Sequence, residues 1–403
     1  MHIYKVGGCV RDGLLKREIK DRDWVVVGSS DAEMAALGYK KVGKDFPVYL
    51  HPQTHEEYAL ARTERKTGPG YYGFEVNSSA SVTLEEDLSR RDLTINAIAE
   101  DEAGNLIDPY GGQRDLRAGI LRHVSPAFVE DPLRVLRIAR FAARFNFDIA
   151  LETVRLMKEI SSGGELLNLP AERVWVELDR ALGEEHPHRF IDVLRQCNAL
   201  AVLLPEIDGL FGIPQPAKYH PEIDTGEHVL LALRQAAARD ASSEVRFAVL
   251  VHDLGKATSD PDHLPGHVGH EERGVVLVED VCERFKVPKA HRLIALAVTR
   301  YHLMVHRAQE LRPQKLLKLL TNLDAMRRPE RFSEILLACE IDATGRLGMA
   351  DSPYPSAEYM REARQVANDV DVRQYVEQGL GGEQLREKID QVRVRALADA
   401  RGI

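Results

Sequence analysis

Residues Lys20–Gly28 read KDRDWVVVG, and two aspartates one residue apart lead straight into a β-branched run. Residues i and i+2 of a strand share a face, about 7 Å apart at Cα, so Asp21 and Asp23 are expected to point at one spot. With reference pKa values of about 3.9, both are ionised at neutral pH. Two anions converging on one point need a cation, and Mg²⁺ with phosphate oxygens is the usual partner. Spacing alone is weak, because it recurs at Asp260/Asp262 and Asp369/Asp371, where a proline and a solvated helix end explain it.

The neighbouring residues strengthen the reading. Upstream lies VGGCVRDGLL, where Gly7 and Gly8 permit close backbone approach and Arg11 opens a helix, a cradle for a triphosphate. A Gly-Gly turn, an arginine and then an acidic pair at a strand start resemble, in that order, the active site of the DNA polymerase beta type of nucleotidyltransferase. That resemblance implies Mg²⁺ held against an NTP by Asp21 and Asp23.

Outward from this stretch, the first 125 residues alternate β-rich runs (WVVVG, FPVYLH, EEYALART) with turn signals (KTGPGYYG, DPYGGQRD). From Pro126 the apolar spacing turns helical, beginning with EDPLRVLRIARFAARF, where Leu133, Leu136, Ile138, Phe141 and Phe145 recur at helical intervals. Pro205, Pro214, Pro216 and Pro221 mark a connector ahead of a histidine-rich segment: nine of the 15 histidines fall between His220 and His306. The fold class expected is α+β. A head of mixed sheet and helices (1–125) precedes an all-α neck and body (126–225), a histidine-rich helical domain (226–330) and a helical tail (331–403).

Composition restricts the rest. A chain of 403 residues, 44% hydrophobic and 29% charged, can bury several cores. No apolar run approaches the roughly 20 residues of a membrane span, and MHIYKVGGCVRD lacks a secretory apolar stretch, so a soluble, cytoplasmic protein is expected, without a membrane partner. Cys9, Cys197, Cys282 and Cys339 form no C-x-x-C pair and read as reduced thiols. The net charge of −9 argues against a purely electrostatic nucleic-acid binder, but up to Arg144 there are 21 basic and 22 acidic residues. A polyanion-handling surface therefore fits best in the first part.

VGGCVRDGLL, KDRDW, RRDLTINAIA, DPYGG, EDPLRVLRIARFAARF and ERVWVE occur in the order of the class II tRNA nucleotidyltransferases, the CCA-adding enzymes. Together with the histidine-rich segment, the chain resembles the bacterial members that carry an HD phosphohydrolase domain. Departures are small: Lys16 stands where members often have glycine, and Cys9 where a small residue is common. The resemblance implies Asp21 and Asp23 as Mg²⁺ ligands, Gly8 and Arg11 as triphosphate contacts, and Arg90, Arg91 and Asp92 as the ribose-recognition motif. Its substrates would be CTP, ATP and the 3′ end of tRNA, for a monomer or a homodimer.

The helix EDPLRVLRIARFAARF has a plain reading as well. Asp131 before Pro132 is an ordinary N-cap followed by Pro at N1. Arg134, Arg137, Arg140 and Arg144, spaced by 3, 3 and 4, lay four guanidinium groups along one stripe, which repels itself unless something anionic fills it. The family resemblance implies that Asp131 and Arg134 act as an amino-acid template for the incoming base, with Arg137 and Arg140 as further nucleotide contacts. Cytosine and adenine each present an amine donor beside a ring-nitrogen acceptor; a carboxylate accepts from the first and a guanidinium donates to the second. Uracil and guanine put a carbonyl where the amine would be, leaving groups unpaired at about 1–3 kcal/mol each. The loop ARTERKTGPGYYG, with Gly68, Gly70 and Gly73, is a candidate mobile element that reshapes the site between C and A addition. A third carboxylate is left open between Glu56, Glu57 and others.

GEHVLLAL and LVHDLGK supply His228, His252 and Asp253, a pattern similar to the HD metal phosphohydrolases. HVGHEERG adds His267 and His270; His302 stands one helical turn before His306, and Asp342 in EIDATGR offers a distant acidic ligand. For His263, His291 and His306 the surface or hydrogen-bonded reading is preferred. Imidazole-rich sites suit Ni²⁺, Co²⁺ or Mn²⁺ better than Mg²⁺. The resemblance implies phosphatase, 2′-nucleotidase and 2′,3′-cyclic phosphodiesterase activities here. Three rivals are a poly(A) polymerase, an HD hydrolase whose head only senses nucleotide, and a non-catalytic RNA-binding protein. The HD segment, the lack of a long basic tail and the paired aspartates favour CCA addition.

Overall fold

The computed structural model describes residues 1–19, 21–43, 48–66 and 74–402. Gly68, Gly70 and Gly73, and with them most of the expected mobile loop, lie outside the described residues. The chain packs into two compact units, Met1–Ala181 with Arg189–Leu203, and Leu182–His188 with Leu204–Ile403.

The first unit contains β1 (His2–Val6), α1 (Gly8–Leu14), β2 (Asp23–Val27), α2 (Asp31–Ala36), β3 (Lys40–Val42), β4 (Val48–Leu50), β5 (Glu57–Leu60), β6 (Thr63–Lys66) and β7 (Phe74–Asn77). There follow α3 (Leu84–Ser89), β8 (Ala99–Glu100), β9 (Leu106–Ile107), α4 (Gly112–Ala118), α5 (Leu133–Phe145), α6 (Leu151–Ser162), α7 (Ala171–Leu182), α8 (His188–Gln196) and α9 (Ala199–Leu203). Seven strands form one mixed sheet in the order β3-β4-β5-β2-β1-β8-β9, in which β2 and β5 run parallel and every other neighbouring pair antiparallel. The central strand explains the unbroken valine run: Val25 packs with Val6, Leu88, Ala97 and Ala99 on one face, and Val26 with Met34, Tyr49, Tyr58 and Leu60 on the other. A strand covered on both faces has no solvent side to alternate with.

One expectation needs correcting. The strand begins at Asp23, so Asp21 precedes it and the i, i+2 geometry of a strand does not place it. DPYGG is a structural device: Asp108 accepts from the N–H groups of Gly112 (2.7 Å) and Gln113 (2.9 Å), satisfying the start of α4. A Cβ on Gly112 would lie 2.1 Å from the Thr94 carbonyl oxygen, so only glycine fits there. In α5 the helical spacing holds: Leu133, Leu136, Ile138, Phe141 and Phe145 are all buried.

The second unit is helical. It comprises α10 (Pro205–Asp208), α11 (Thr225–Ala238), α12 (Ser243–Val251), α13 (His270–Arg284), α14 (Lys289–His306), α15 (Pro313–Asn322), α16 (Pro329–Thr344), α17 (Pro355–Asn368), α18 (Arg373–Glu377) and α19 (Gly382–Asp399). A Cβ on Gly255 would sit 1.9 Å from the His270 carbonyl oxygen, so the glycine of LVHDLGK lets the turn after α12 press against the start of α13. No helix among the described residues is long and apolar enough to cross a membrane.

Candidate functional site

In the first unit, pairing register brings distant motifs together. Val6 of β1 lies opposite Asp23 of β2, which sets the Gly7-Gly8 turn beside the first aspartate of the strand. Gly7 has φ 72°, and a Cβ there would meet Arg91 Nη1 at 2.8 Å, so the guanidinium of RRDLTINAIA lies directly on the turn. Cys9 Sγ is 3.3 Å from the Val6 carbonyl and 3.9 Å from that of Asp23, pinning turn to strand. Packing around Asp23 raises its pKa even though part of it stays exposed; the Arg91 charge opposes the rise and Asp21 adds to it. An aspartate pushed up by burial and a second carboxylate is the electrostatic state that a bound cation relieves, so these residues fit a divalent metal ion.

The parallel register of β2 and β5 sets Glu57 opposite Asp23. Glu56 is occupied elsewhere, accepting from Trp24 Nε1 (3.2 Å) and Arg22 (3.3 Å). Structure thus separates two candidates for a third carboxylate that adjacent sequence positions could not.

The protein's own acceptors lie against the arginine stripe of α5. Arg137 donates through Nε (2.8 Å) and Nη2 (2.7 Å) to Asp92 Oδ2. Arg140, buried, donates to Glu177 of α7 (2.6 Å), and Arg144 donates to Asp12 of α1 (2.9 Å). Buried guanidinium groups persist only with such partners. Arg140 is thereby anchored through Nε to α7. Arg11 is likewise buried, tied to Asp12 (2.8 Å) and Asn96 and stacked on Phe141 and Phe145, though its Nη2 still lies beside Gly8. Burial would raise Asp92, but the Arg137 charge and the bonds from Asn96 and Arg137 hold it far below the usual carboxylate range. Arg90 and Arg91 both flank Asp87, at 3.4 and 3.3 Å. Arg134 and Asp131 stay half-buried: the carbonyls of Ala127 (3.2 Å) and Arg90 hold the guanidinium, and the Leu133 N–H (3.0 Å) holds the carboxylate.

In the second unit, two triads converge, His228/His252/Asp342 and Asp253/His270/His302, each with its ligand atoms within 4.8 Å of one another. Backbone carbonyls orient the rings: His252 Nδ1 lies 2.8 Å from Val249 O, His270 Nδ1 2.8 Å from His267 O, and His302 Nδ1 3.1 Å from Val298 O. Their Nε2 atoms are thereby turned onto the carboxylates, with His252 Nε2 3.2 Å and His270 Nε2 3.4 Å from Asp253. Both oxygens of Asp253 and Nε2 of His252 are buried without a hydrogen bond of good geometry among the described residues. Buried imidazole nitrogens and carboxylates facing one another fit metal cations. Burial lowers His252, but the Asp253 and Asp342 charges raise it to about 10, while burial drives His302 down to about 3. Burial would raise Asp253 and Asp342; His252 with Lys256, and His252 with His306, hold them well below the usual range.

His267 does not join these triads, since Ser259 Oγ (2.8 Å) and the Pro214 carbonyl (3.0 Å) take its two nitrogens. His291 bonds Ser243, and His263 lies exposed beside Asp260. His306 bridges Asp342 Oδ2 and the Tyr354 hydroxyl, both at 2.7 Å. Sequence reasoning missed His220 and Glu222, which form a further triad with His228, and Lys256, 2.6 Å from Asp253. Lys256 stood within LVHDLGK, but nothing local marked its role.

The matches with known families follow this division. Residues 3–122 match the Poly A polymerase head domain, 146–210 the family described as the probable RNA and SrmB-binding site of polymerase A, and 225–330 the HD domain. The chain is 59% identical over 400 residues to the multifunctional CCA protein of Nitrosococcus oceani, covering 99% of this chain and 98% of that protein. It belongs to the multifunctional CCA protein family. The Pseudomonas aeruginosa family member is 56% identical over 98% of both chains. Among solved folds, a CCA-adding enzyme in apo form superposes with a TM-score of 0.65 at 21% identity, over 98% of this chain and 88% of that one. The Thermotoga maritima CCA-adding enzyme bound to tRNA does so with a TM-score of 0.63 at 20% identity, over 98% and 87%. As a family member, the chain is a nucleotidyltransferase with a phosphohydrolase domain.

Proposed function

We propose that this multifunctional CCA protein adds and repairs the 3′-terminal CCA of tRNA from CTP and ATP, releasing pyrophosphate, in the cytoplasm. The observation that carries this is the register placing Asp23 beside the Gly7-Gly8 turn and Arg91. Asp21, Asp23 and the opposed Glu57 are the carboxylates for Mg²⁺, which supplies charge stabilisation to the attacking and leaving oxygens. The Gly8 backbone, with Arg11 beside it, receives the triphosphate, and Arg91 neutralises charge next to it. The tRNA 3′-hydroxyl attacks the α-phosphorus and pyrophosphate departs. Asp131 and Arg134, each held by backbone groups, read the amine and ring nitrogen of C or A. Asp92 meets the ribose, and Arg137, paired with Asp92, and Arg140, anchored on Glu177, are the further nucleotide contacts of α5.

The histidine-rich centre is read as a phosphatase, 2′-nucleotidase and 2′,3′-cyclic phosphodiesterase loaded with Ni²⁺ or another transition metal. His228, His252, Asp253, His270, His302 and Asp342 would hold it. Its metal supplies an activated water. RNA cleavage leaves cyclic or 3′-phosphate ends that block addition, so cleaning precedes extension. The segments assigned are 1–125 for catalysis, 126–225 for base reading and tRNA binding, 226–330 for hydrolysis and 331–403 as tail.

The test supplies a tRNA lacking its 3′ end with Mg²⁺ and each NTP singly, then CTP with ATP, beside Asp21→Ala. Addition of C, C and A by the intact protein alone is expected. Tails of A alone would make it a poly(A) polymerase and refute the reading.

A further inference from the structure

Gln215 belongs to the proline-marked connector ahead of α11 and is 2% exposed. Its backbone N–H donates to the Ile223 carbonyl at 2.7 Å, so the residue is fixed from both ends. Lys256 Nζ, itself buried, donates to Gln215 Oε1 at 2.6 Å and forms an ion pair with Asp253 Oδ2, also at 2.6 Å. An ammonium only donates, so the lysine decides which end of the amide is oxygen. The geminal nitrogen, Nε2, is then a buried donor with no acceptor among the described residues. A buried donor left unpaired carries its full desolvation penalty, and the fold gives no sign of avoiding it.

The surroundings say what would satisfy it. Asp253, on the other side of Lys256, turns Oδ1 toward His270 (3.4 Å) and His302 (3.8 Å), so the amide stands one side chain away from the metal-ligand triads. The preceding Pro214 carbonyl accepts from His267, which fastens this stretch of connector over the same centre. Lys256 has three donors, of which one is spent on Gln215, while Asp253 holds the ammonium as an ion pair. A spare amide N–H beside a spare ammonium N–H selects an anionic oxygen acceptor, and charge-assisted bonds of this kind are the strong ones.

We propose that Gln215 Nε2, together with the Lys256 ammonium, binds a phosphoryl oxygen of the ligand at the histidine-rich centre. This rests on the reading of that centre as a metal phosphohydrolase. Gln215 then sets affinity for the phosphoryl group without contributing to metal binding.

Gln215→Glu isolates the role, because a carboxylate still accepts from Lys256 but offers no donor. Full-length protein loaded with Ni²⁺ is titrated with inorganic phosphate by calorimetry, its metal content is measured, and 2′,3′-cyclic AMP hydrolysis is followed. Expected is phosphate affinity weakened roughly tenfold or more, the scale of a lost bond to a charged acceptor, with metal stoichiometry unchanged and KM for the cyclic nucleotide raised. Gln215→Met, apolar and of similar size, is expected to weaken phosphate binding too, and decides the matter if the glutamate variant does not fold. Wild-type phosphate affinity in a folded variant overturns the proposal. Loss of metal instead of phosphate also overturns it, making Gln215 a support for Asp253. A wild-type protein that binds Ni²⁺ but neither phosphate nor cyclic nucleotide overturns the phosphohydrolase reading itself, and the proposal with it.

Discussion

The Asp92–Arg137 pair gives the sharpest quantitative handle on the first unit. Asp92 is 7% exposed, and both oxygens are used: Oδ1 by the Leu93 N–H and Asn96 Nδ2, each at 2.8 Å, and Oδ2 by Arg137. Replacing Arg137 with Met strands a buried carboxylate, and breaking such a pair from one side costs about 3–5 kcal/mol. Asp92→Asn strands the arginine instead. Because the Arg137 side chain is 35% exposed and can reach water, that change is expected at the lower end, about 3 kcal/mol. The double variant removes both charges and should cost less than the two together, by about 2 kcal/mol. The assay is urea unfolding followed by tryptophan emission, because both tryptophans, Trp24 and Trp175, lie in the first unit. The depressed pKa of Asp92 fixes the sign with pH: its stabilisation is complete above the unfolded value of about 3.9 and is lost as pH falls below it. Additivity within about 0.5 kcal/mol, or a coupling that survives unchanged at pH 3, would refute the pairing as drawn.

Other expectations follow from the same geometry. Gly255→Ala should displace α13 from the turn after Asp253, since backbone blocks the new Cβ at 1.9 Å; metal content of the purified protein should fall while CCA addition persists. Asp131→Ala should relax base choice toward UTP and GTP by roughly 5- to 150-fold, the equivalent of about 1–3 kcal/mol, read from single-nucleotide incorporation. The affinity of the histidine-rich centre for Ni²⁺ should rise with pH, because the proton that His252 holds up to about 10 must leave before its nitrogen can coordinate; calorimetry in buffers of different ionisation enthalpy should register that proton. Added Ni²⁺ at about 100 times its dissociation constant should stabilise the second unit by about 2.7 kcal/mol, lost again with a chelator.

Local chemistry was legible in the residues themselves. The acidic pair ahead of a valine run, the glycine turn upstream and the apolar spacing of α5 each operate over a few residues, where turn geometry and helical period leave few options. The His-Asp pair at His252 and Asp253 is local in the same sense. What sequence could not assign was the partner of each charge. Four arginines at helical spacing are compatible with a bound polyanion or with internal acids, and only packing put Asp92, Glu177 and Asp12 against three of them. Glu56 and Glu57 are adjacent letters, yet strand register turns one to Trp24 and sets the other opposite Asp23. His267 carries the same side chain as His270, but a connector carbonyl and a serine consume it. Asp342 reaches His228 across 114 positions, and Gln215 reaches Lys256 across 41. Local propensity fixes what a segment is, because its causes lie within a turn or two. Pairing of buried charges is decided by register and helix packing, which bring together residues that share no stretch of chain.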